Sequence, residues 1–254
     1  MKNSRNTSWD KVAGWYDKHV SEVSDYHKEV IIPQVMSMLD PKSGEKMLDV
    51  GCGQGILCRK LAEKGAVVTG IDASKKLISL ARNKSGSGRN ISYKIADATR
   101  MECVESDSFN AAVSILAIQN MDPLDAVAKE TARVVKKHGR LVWVLNHPCF
   151  RIPRQSGWGH DEKRKIQYRR IDRYISPLKI PIQMHPGMAP DVYTWTFHRS
   201  LTEYFRELFN NGFVVNKLEE WVSHRKSLPG KTAKMEDRAR EEIPMFLAIG
   251  AIKL

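Results

Sequence analysis

The chain has 254 residues, 42% hydrophobic, 8% aromatic and 28% charged, and its 41 Lys and Arg against 29 Asp and Glu give a formal net charge of +12. That suits one α/β domain with an insertion, or two small domains, and excludes a disordered or fibrous chain. No apolar run reaches eighteen residues and no secretory h-region is visible, so neither a membrane span nor export is expected; Cys52, Cys58, Cys103 and Cys149 form no Cys-x-x-Cys pair, which suits reduced thiols and a cytoplasmic setting.

Residues 9–39 read as helical, with Trp9, Trp15 and Tyr16 near the start. An apolar strand, Lys46-Met-Leu-Asp-Val50, runs into a turn with glycines at Gly51, Gly53 and Gly55. A helix follows, then a second apolar strand ending in Asp72. After a loop at residues 84–90, the third strand, Ile91-Ser-Tyr-Lys-Ile-Ala-Asp97-Ala98, again ends in an acid. The fourth strand is expected near residues 109–118. A helix begins at Pro123, with Asp122 as its cap and His138-Gly139 as its stop. The fifth strand covers residues 140–145. These strands are continuously apolar rather than alternating, as expected when helices cover both faces of a parallel sheet.

Residues 151–199 break the rhythm, being rich in Arg, Lys, Pro, His and aromatics with little apolar periodicity. A long irregular stretch of this kind predicts a functional lid rather than core. Residues 151–179 hold nine Lys and Arg against three acids. The βα pattern resumes with a helix at 200–211, a Gly212 stop, and strands near 213–221 and 245–253 that read as an antiparallel hairpin. A second basic connection, 223–243, lies between them. The expected organisation is one domain over 1–254: a helical cap (1–42), a cofactor-binding core (43–150), a lid (151–199) and the rest of the sheet (200–254).

The glycine turn carries the chemistry. Glycines let the backbone turn tightly and approach a ligand, and the following helix offers unpaired N–H groups. An acid about twenty residues on can accept both hydroxyls of a ribose. A dinucleotide site is the competitor, but the spacing here is Gly-x-Gly-x-Gly, so the third glycine comes too early. Asp49, two residues before Gly51, would sit poorly beside a pyrophosphate and suits a cation, such as an α-amino group near a sulfonium.

Leu48-Asp-Val-Gly-Cys-Gly-Gln-Gly55, Gly70-Ile-Asp72, Ala96-Asp97-Ala98 and the segment from Phe109 to Asn120 resemble the class I S-adenosylmethionine-dependent methyltransferases. The resemblance implies a Rossmann-like, doubly wound seven-stranded α/β sheet of order 3-2-1-4-5-7-6, with an N-terminal helical cap and a basic lid after strand 5. It implies S-adenosyl-L-methionine as cofactor, with Asp49, Gly51, Cys52 and Gly53 around the methionine part. Asp72 and Ala73 would hold the ribose, Asp97 and Ala98 the adenine, and the Leu116 backbone the amino-acid end. Tyr16 is the candidate lid residue. Asn146-His-Pro-Cys-Phe, His198-Arg199, Glu219-Glu-Trp221 and Ile243-Pro-Met-Phe246 also resemble a broad bacterial group of such enzymes, and that leaves the acceptor open.

The candidate catalytic residues lie at the tip of the fifth strand. Asn146 can orient an acceptor amine, His147 can take a proton, and Phe150 can stack on a flat acceptor. The segment is loosely similar to the Asn-Pro-Pro-aromatic motif of nucleobase amino-methyltransferases. Cys149 is a weaker candidate nucleophile, because no second Cys lies at residues 119–123. Trp158, Tyr168, Tyr174, Tyr193, Trp195 and Phe197 interleave with the basic residues, which suits either a mini-core or a stacking surface. The expected acceptor is a small planar metabolite methylated at O or N, with an RNA base amine as the alternative. A non-catalytic cofactor-binding module is a third reading. No metal site and no membrane partner are expected.

Overall fold

The computed structural model describes residues 9–18, 25–86, 90–183 and 193–254, with backbone alone for residues 15–18. The side chain of Tyr16 therefore lies outside the described residues.

Helix α1 (Trp9–Lys18) is followed by a π-helical turn (His27–Ile31) continuous with α2 (Ile32–Leu39). Then come β1 (Lys46–Val50), α3 (Ile56–Glu63), β2 (Val67–Asp72), α4 (Lys75–Ser85), β3 (Ile91–Ile95), β4 (Phe109–Ile115), α5 (Leu124–Val134) and β5 (Val135–Asn146). Two ribbons follow, β6 (Ser156–Asp161) with β7 (Ile166–Ile171) and β8 (Leu178–Ile182) with β9 (Thr194–His198). The chain closes with α6 (Leu201–Asn210), β10 (Phe213–Trp221), α7 (Ala233–Glu242) and β11 (Phe246–Lys253).

The seven-stranded sheet runs β10-β11-β5-β4-β1-β2-β3. Read from β3, this is the expected order, with β11 and β10 in the seventh and sixth places. β1 pairs in parallel with β2 and β4, while β11 is antiparallel to both β5 and β10. Side chains alternate between faces, so neighbours on β1 enter different cores. Met47 joins Val68, Leu57, Leu61 and Ile78 on one face, beneath α2, α3 and α4. Leu48 and Val50 join Ile71, Val127, Tyr204 and Leu208 on the other, beneath α5 and α6. The β1–β2 register sets Asp49 opposite Gly70. The carboxyl edge thus carries its acids on adjacent strands.

Three expectations need correction. First, α5 ends at Val134, not at His138-Gly139. Val135 already pairs with Phe109, and His138, at φ 62°, turns the strand rather than the helix. Second, Asp122 caps nothing; it accepts a hydrogen bond from Arg199 at 2.7 Å, and Pro123 occupies the cap position. Third, residues 151–199 are not irregular over their described part: they form the two ribbons. The β6–β7 ribbon has little core behind it, and β9 buries Thr194, Thr196 and His198 rather than apolar residues, so no hydrophobic alternation marks either. Tyr168 covers Gly159 across the β6–β7 ribbon, where an added Cβ would meet the Tyr168 ring at 2.5 Å.

Candidate functional site

The glycine turn is built as its sequence requires. Gly51, Gly53 and Gly55 have φ of 75°, 54° and 76°, in the left-handed region that favours glycine. At Gly51 an added Cβ would lie 2.6 Å from Ala117 Cβ and 2.8 Å from Met121 Cε. The turn therefore presses against the β4–α5 loop, with Leu116 at its start. Leu116 itself has φ 51°, and its carbonyl accepts hydrogen bonds from the Gln119 and Asn120 side-chain amides at 3.1 and 3.3 Å.

The acids differ in setting. Asp49 is 3% exposed. Its Oδ2 accepts the Cys58 thiol hydrogen at 3.2 Å. Burial, aided by the nearby Asp72 charge, pushes its carboxyl up to about 7. Asp72 accepts the Gly53 N–H at 3.0 Å and the Ser74 N–H at 2.8 Å, one on each oxygen. Burial nevertheless raises it to about 6. Each Asp72 oxygen keeps accepting capacity for a hydroxyl. Asp97 accepts the N–H and O–H of Thr99 at 2.9 and 2.7 Å, beside buried Ala98. Cys52 is buried, its thiol held up to about 11 by desolvation, so it lines the turn as an inert thiol.

A cleft brings His27, Ile32, Asp49, Gly51, Gln54 and Ile115 together. Asp72, with Ala73 just after it, and Asp97 lie further along the same edge. These residues fit a cationic nucleoside. Two carboxylates whose charge is costly in the apo protein gain from a positive ligand, and the turn leaves room where a Cβ would collide. Two contributors carry no sequence signal. The π-helical turn brings His27 to the cleft wall. Asp10 of α1 accepts hydrogen bonds from the Ser74 hydroxyl (2.6 Å) and the Lys76 N–H (3.2 Å), which docks α1 on the start of α4, beside Asp72. Replacing Asp10 with Ala should cost about 1 kcal/mol, as for a lost helix cap. Thermal unfolding should then fall by roughly 2–4 °C. An unchanged midpoint would show that α1 is not docked through this contact.

A second pocket opens at the tips of β4, β5 and β9. Its walls include Gln119, Asn146, Arg151, Phe197, His198 and Arg199. Asn146 is exposed beside it. His147 and Phe150 are not among the bordering residues. His147 is 1% exposed; its Nε2 lies 2.6 Å from Glu220 Oε1, and its Nδ1 accepts the Cys149 N–H at 3.2 Å. Those partners put the proton on Nε2. Desolvation holds the imidazole below its usual range, with Glu220 opposing. Phe150 stacks on His147 with ring centroids 4.7 Å apart. The Cys149 thiol is raised by burial, which disfavours a nucleophilic thiolate.

The insertion's aromatics divide. Tyr174 is structural: its carbonyl accepts from His198 (2.6 Å) and its hydroxyl from the Leu201 N–H (2.9 Å). Tyr193 packs edge-on to Trp195, which Lys179 covers at 4.6 Å. Trp158 and Tyr168 remain exposed on the basic β6–β7 ribbon. Among the described residues no His, Cys, Asp and Glu group could hold a metal, and no helix is long and apolar enough to cross a membrane.

Comparison with known proteins agrees with this geometry. Residues 48–143 match a family described as a methyltransferase domain. Demethylmenaquinone methyltransferase of Tropheryma whipplei is 35% identical over 112 residues, 44% of this chain and 46% of that protein. A ubiquinone biosynthesis O-methyltransferase of Xylella fastidiosa is 32% identical over 145 residues, 55% of this chain and 59% of that protein. The chain spans about half the length of the curated relatives it matches. A solved S-adenosylmethionine-dependent methyltransferase from Mesorhizobium loti superposes with a TM-score of 0.69 at 27% identity, covering 87% of this chain and 96% of that one. A chain from the Haloferax volcanii complex of the Trm112 methyltransferase activator with a methyltransferase shares the fold at 16% identity and TM-score 0.68, over 98% of this chain and 99% of that one. With residues 48–143 matching a methyltransferase domain, and a sheet order and fold shared over 87% of its length with a solved S-adenosylmethionine-dependent methyltransferase, the chain is similar to the class I S-adenosylmethionine-dependent methyltransferases.

Proposed function

We propose that the protein methylates an oxygen or nitrogen of a small planar molecule held in the pocket between β4, β5 and β9. The observation that carries this reading is that pocket, an open cleft on the same sheet edge as the glycine turn and the acids. Relatives named for demethylmenaquinone and for ubiquinone biosynthesis support a small-molecule acceptor.

S-adenosylmethionine, when bound, supplies an activated methyl group that a lone pair takes by in-line displacement. In this reading Asp49 and the Gly51–Gly53 backbone hold its amino-acid end, with the Leu116 backbone opposite. Asp72, with Ala73 beside it, holds the ribose, and Asp97 with Ala98 the adenine. Asn146 accepts a hydrogen bond from the acceptor's amine or hydroxyl and orients its lone pair. His147 acts through position: fixed between Glu220 and the Cys149 N–H, it sets the Asn146–Pro148 turn and backs Phe150. The activated methyl lessens the need for a strong base. The four free thiols suit a reducing cytoplasm.

A second reading, methylation of an RNA base, is favoured by the exposed Trp158 and Tyr168 among the Arg and Lys of the β6–β7 ribbon. Incubation with labelled S-adenosylmethionine and fractionated cell extract separates the two. Label is expected in small solutes, with binding nearly independent of salt. Label in RNA, with affinity falling steeply between 50 and 200 mM salt as for polyanion binding, would select the second reading instead.

A further inference from the structure

We propose that the pocket beneath β9 is an anion site, and that its acceptor is a planar molecule carrying a carboxylate together with a hydroxyl or amine. This deepens the methyl-transfer reading and rests on it.

Arg199 is 5% exposed. Its Nη2 donates to Met121 O at 2.9 Å and to Asp122 Oδ1 at 2.7 Å, and its guanidinium lies 5.2 Å from the Phe197 ring centre. Its Nη1 is buried without a hydrogen-bond partner. Gln119 is 8% exposed; its Nε2 donates to Leu116 O, which fixes the amide orientation, and its Oε1 is buried without a partner. One donor and one acceptor thus stand unsatisfied on the walls of one pocket. A buried polar group in that state is costly until something pairs with it.

The charge around them is lopsided. Arg151 borders the same pocket, and among the described residues no carboxylate pairs with it. Arg169, close enough to Arg151 to feel its charge, is held by the Phe150 carbonyl (2.7 Å), the Ser156 hydroxyl (2.9 Å) and the Trp158 face, again without an acid. Desolvation pushes both guanidiniums below their usual range. Asp122, the acid at this site, is already committed to Arg199. Two guanidiniums, Arg151 and Arg199, border the pocket; Arg199 has Asp122 as its carboxylate, and a planar anion supplies one for Arg151.

The size and depth favour a small acid over a strand of RNA. The space between these walls, counting the open solvent at its mouth, is about 320 Å³. A backbone phosphate crossing the surface would not reach a guanidinium as enclosed as that of Arg199. A carboxylate matches the planar guanidinium fork of Arg151 or Arg199. Phe197, Pro148 and Pro153 offer apolar walls for a ring. Gln119 Oε1 accepts from a hydroxyl or amine on that ring.

The test is calorimetry on the whole protein saturated with S-adenosylhomocysteine. The probes are 4-hydroxybenzoate and a panel of one- and two-ring hydroxy- and amino-acids, each beside its neutral carboxamide. Acids should bind at least about 10-fold more tightly than their amides, the scale of one charge-assisted hydrogen bond. Arg151→Gln should erase that preference, and Arg199→Gln should do so if it folds. S-adenosylhomocysteine binding reports folding in each variant. Equal binding of acids and amides, binding of neither, a preference that survives Arg151→Gln, or displacement of the acids by short RNA would each overturn the proposal. Failure of the wild-type protein to bind S-adenosylhomocysteine would instead sink the underlying methyl-transfer reading.

Discussion

Replacing Asp49 with Asn is expected to make the ligand-free protein more stable while weakening S-adenosylmethionine binding about 10- to 100-fold, the loss of a hydrogen bond to a charged group. Asp49 sits at 3% exposure with its carboxyl near 7 in the fold. Its folded value is raised, so its ionisation works against the fold. The stability it contributes is fully present below the ordinary carboxylate range, about pH 3.8, and is lost as pH rises through about 7. At pH 8 the Asp49→Asn variant escapes that loss and should gain on the order of 2 kcal/mol, a discounted share of the shift at 1.36 kcal/mol per unit. The Cys58 thiol keeps an acceptor, the new amide oxygen. The cofactor behaves oppositely, since its cationic end needs the ionised form. Wild-type affinity should therefore rise with pH up to about 7 and then level, with proton uptake by buffer below that point. In the Asp49→Asn variant the part due to this residue disappears, leaving that of Asp72, whose carboxyl lies near 6. Thermal unfolding at pH 5 and 8 and calorimetry in two buffers would check both halves. A variant that binds as tightly as wild type would remove Asp49 from the site.

Gly55→Ala should be the most damaging single substitution in the glycine turn. Gly55 precedes α3 at φ 76°, where a side chain costs about 1–2 kcal/mol. Its new Cβ would collide with Tyr93 Oη and lie 2.8 Å from Tyr93 Cζ. Tyr93 is 8% exposed, and its hydroxyl is bound to Ser85 at 2.8 Å, so the ring cannot swing away freely. Overpacking adds about 1–3 kcal/mol. A total loss of roughly 2–5 kcal/mol is a large share of the stability of an ordinary domain. Tyr93→Phe in the same protein should recover part of it, because the nearest colliding atom is then gone. A double-mutant cycle in denaturant would show coupling of at least about 1 kcal/mol between contacting residues. Strict additivity would mean that the left-handed backbone alone sets the cost.

The glycine-turn edge of the sheet was readable from the chain because its signals are local. A glycine that must take a left-handed backbone, an acid at the end of an apolar run and a helix just beyond lie within a few residues of one another. The parallel register then carries them unchanged to one sheet edge: Asp49, Gly51, Asp72 and Asp97 need no distant partner to be found. The second pocket was less legible because its parts come from separate places. Gln119 follows β4, Asn146 and Arg151 flank the turn after β5, and Arg199 arrives from the far end of the insertion. Only folding makes them walls of one pocket. The same holds for His147. Its strand-tip position read as a free base, but a carboxylate from Glu220, 73 residues on, decides which nitrogen carries the proton. The ribbons at 156–182 and 194–198 were hidden for a different reason. The β6–β7 strands are held mainly by backbone pairing, and β9 buries the polar Thr194, Thr196 and His198, so neither shows apolar periodicity. Residue chemistry and spacing thus determined the sheet, the glycine turn and the acids at its carboxyl edge. The tertiary structure decided which charges are buried, which side chains meet, and which residues wall the second pocket, because burial and long-range pairing are properties of the folded whole.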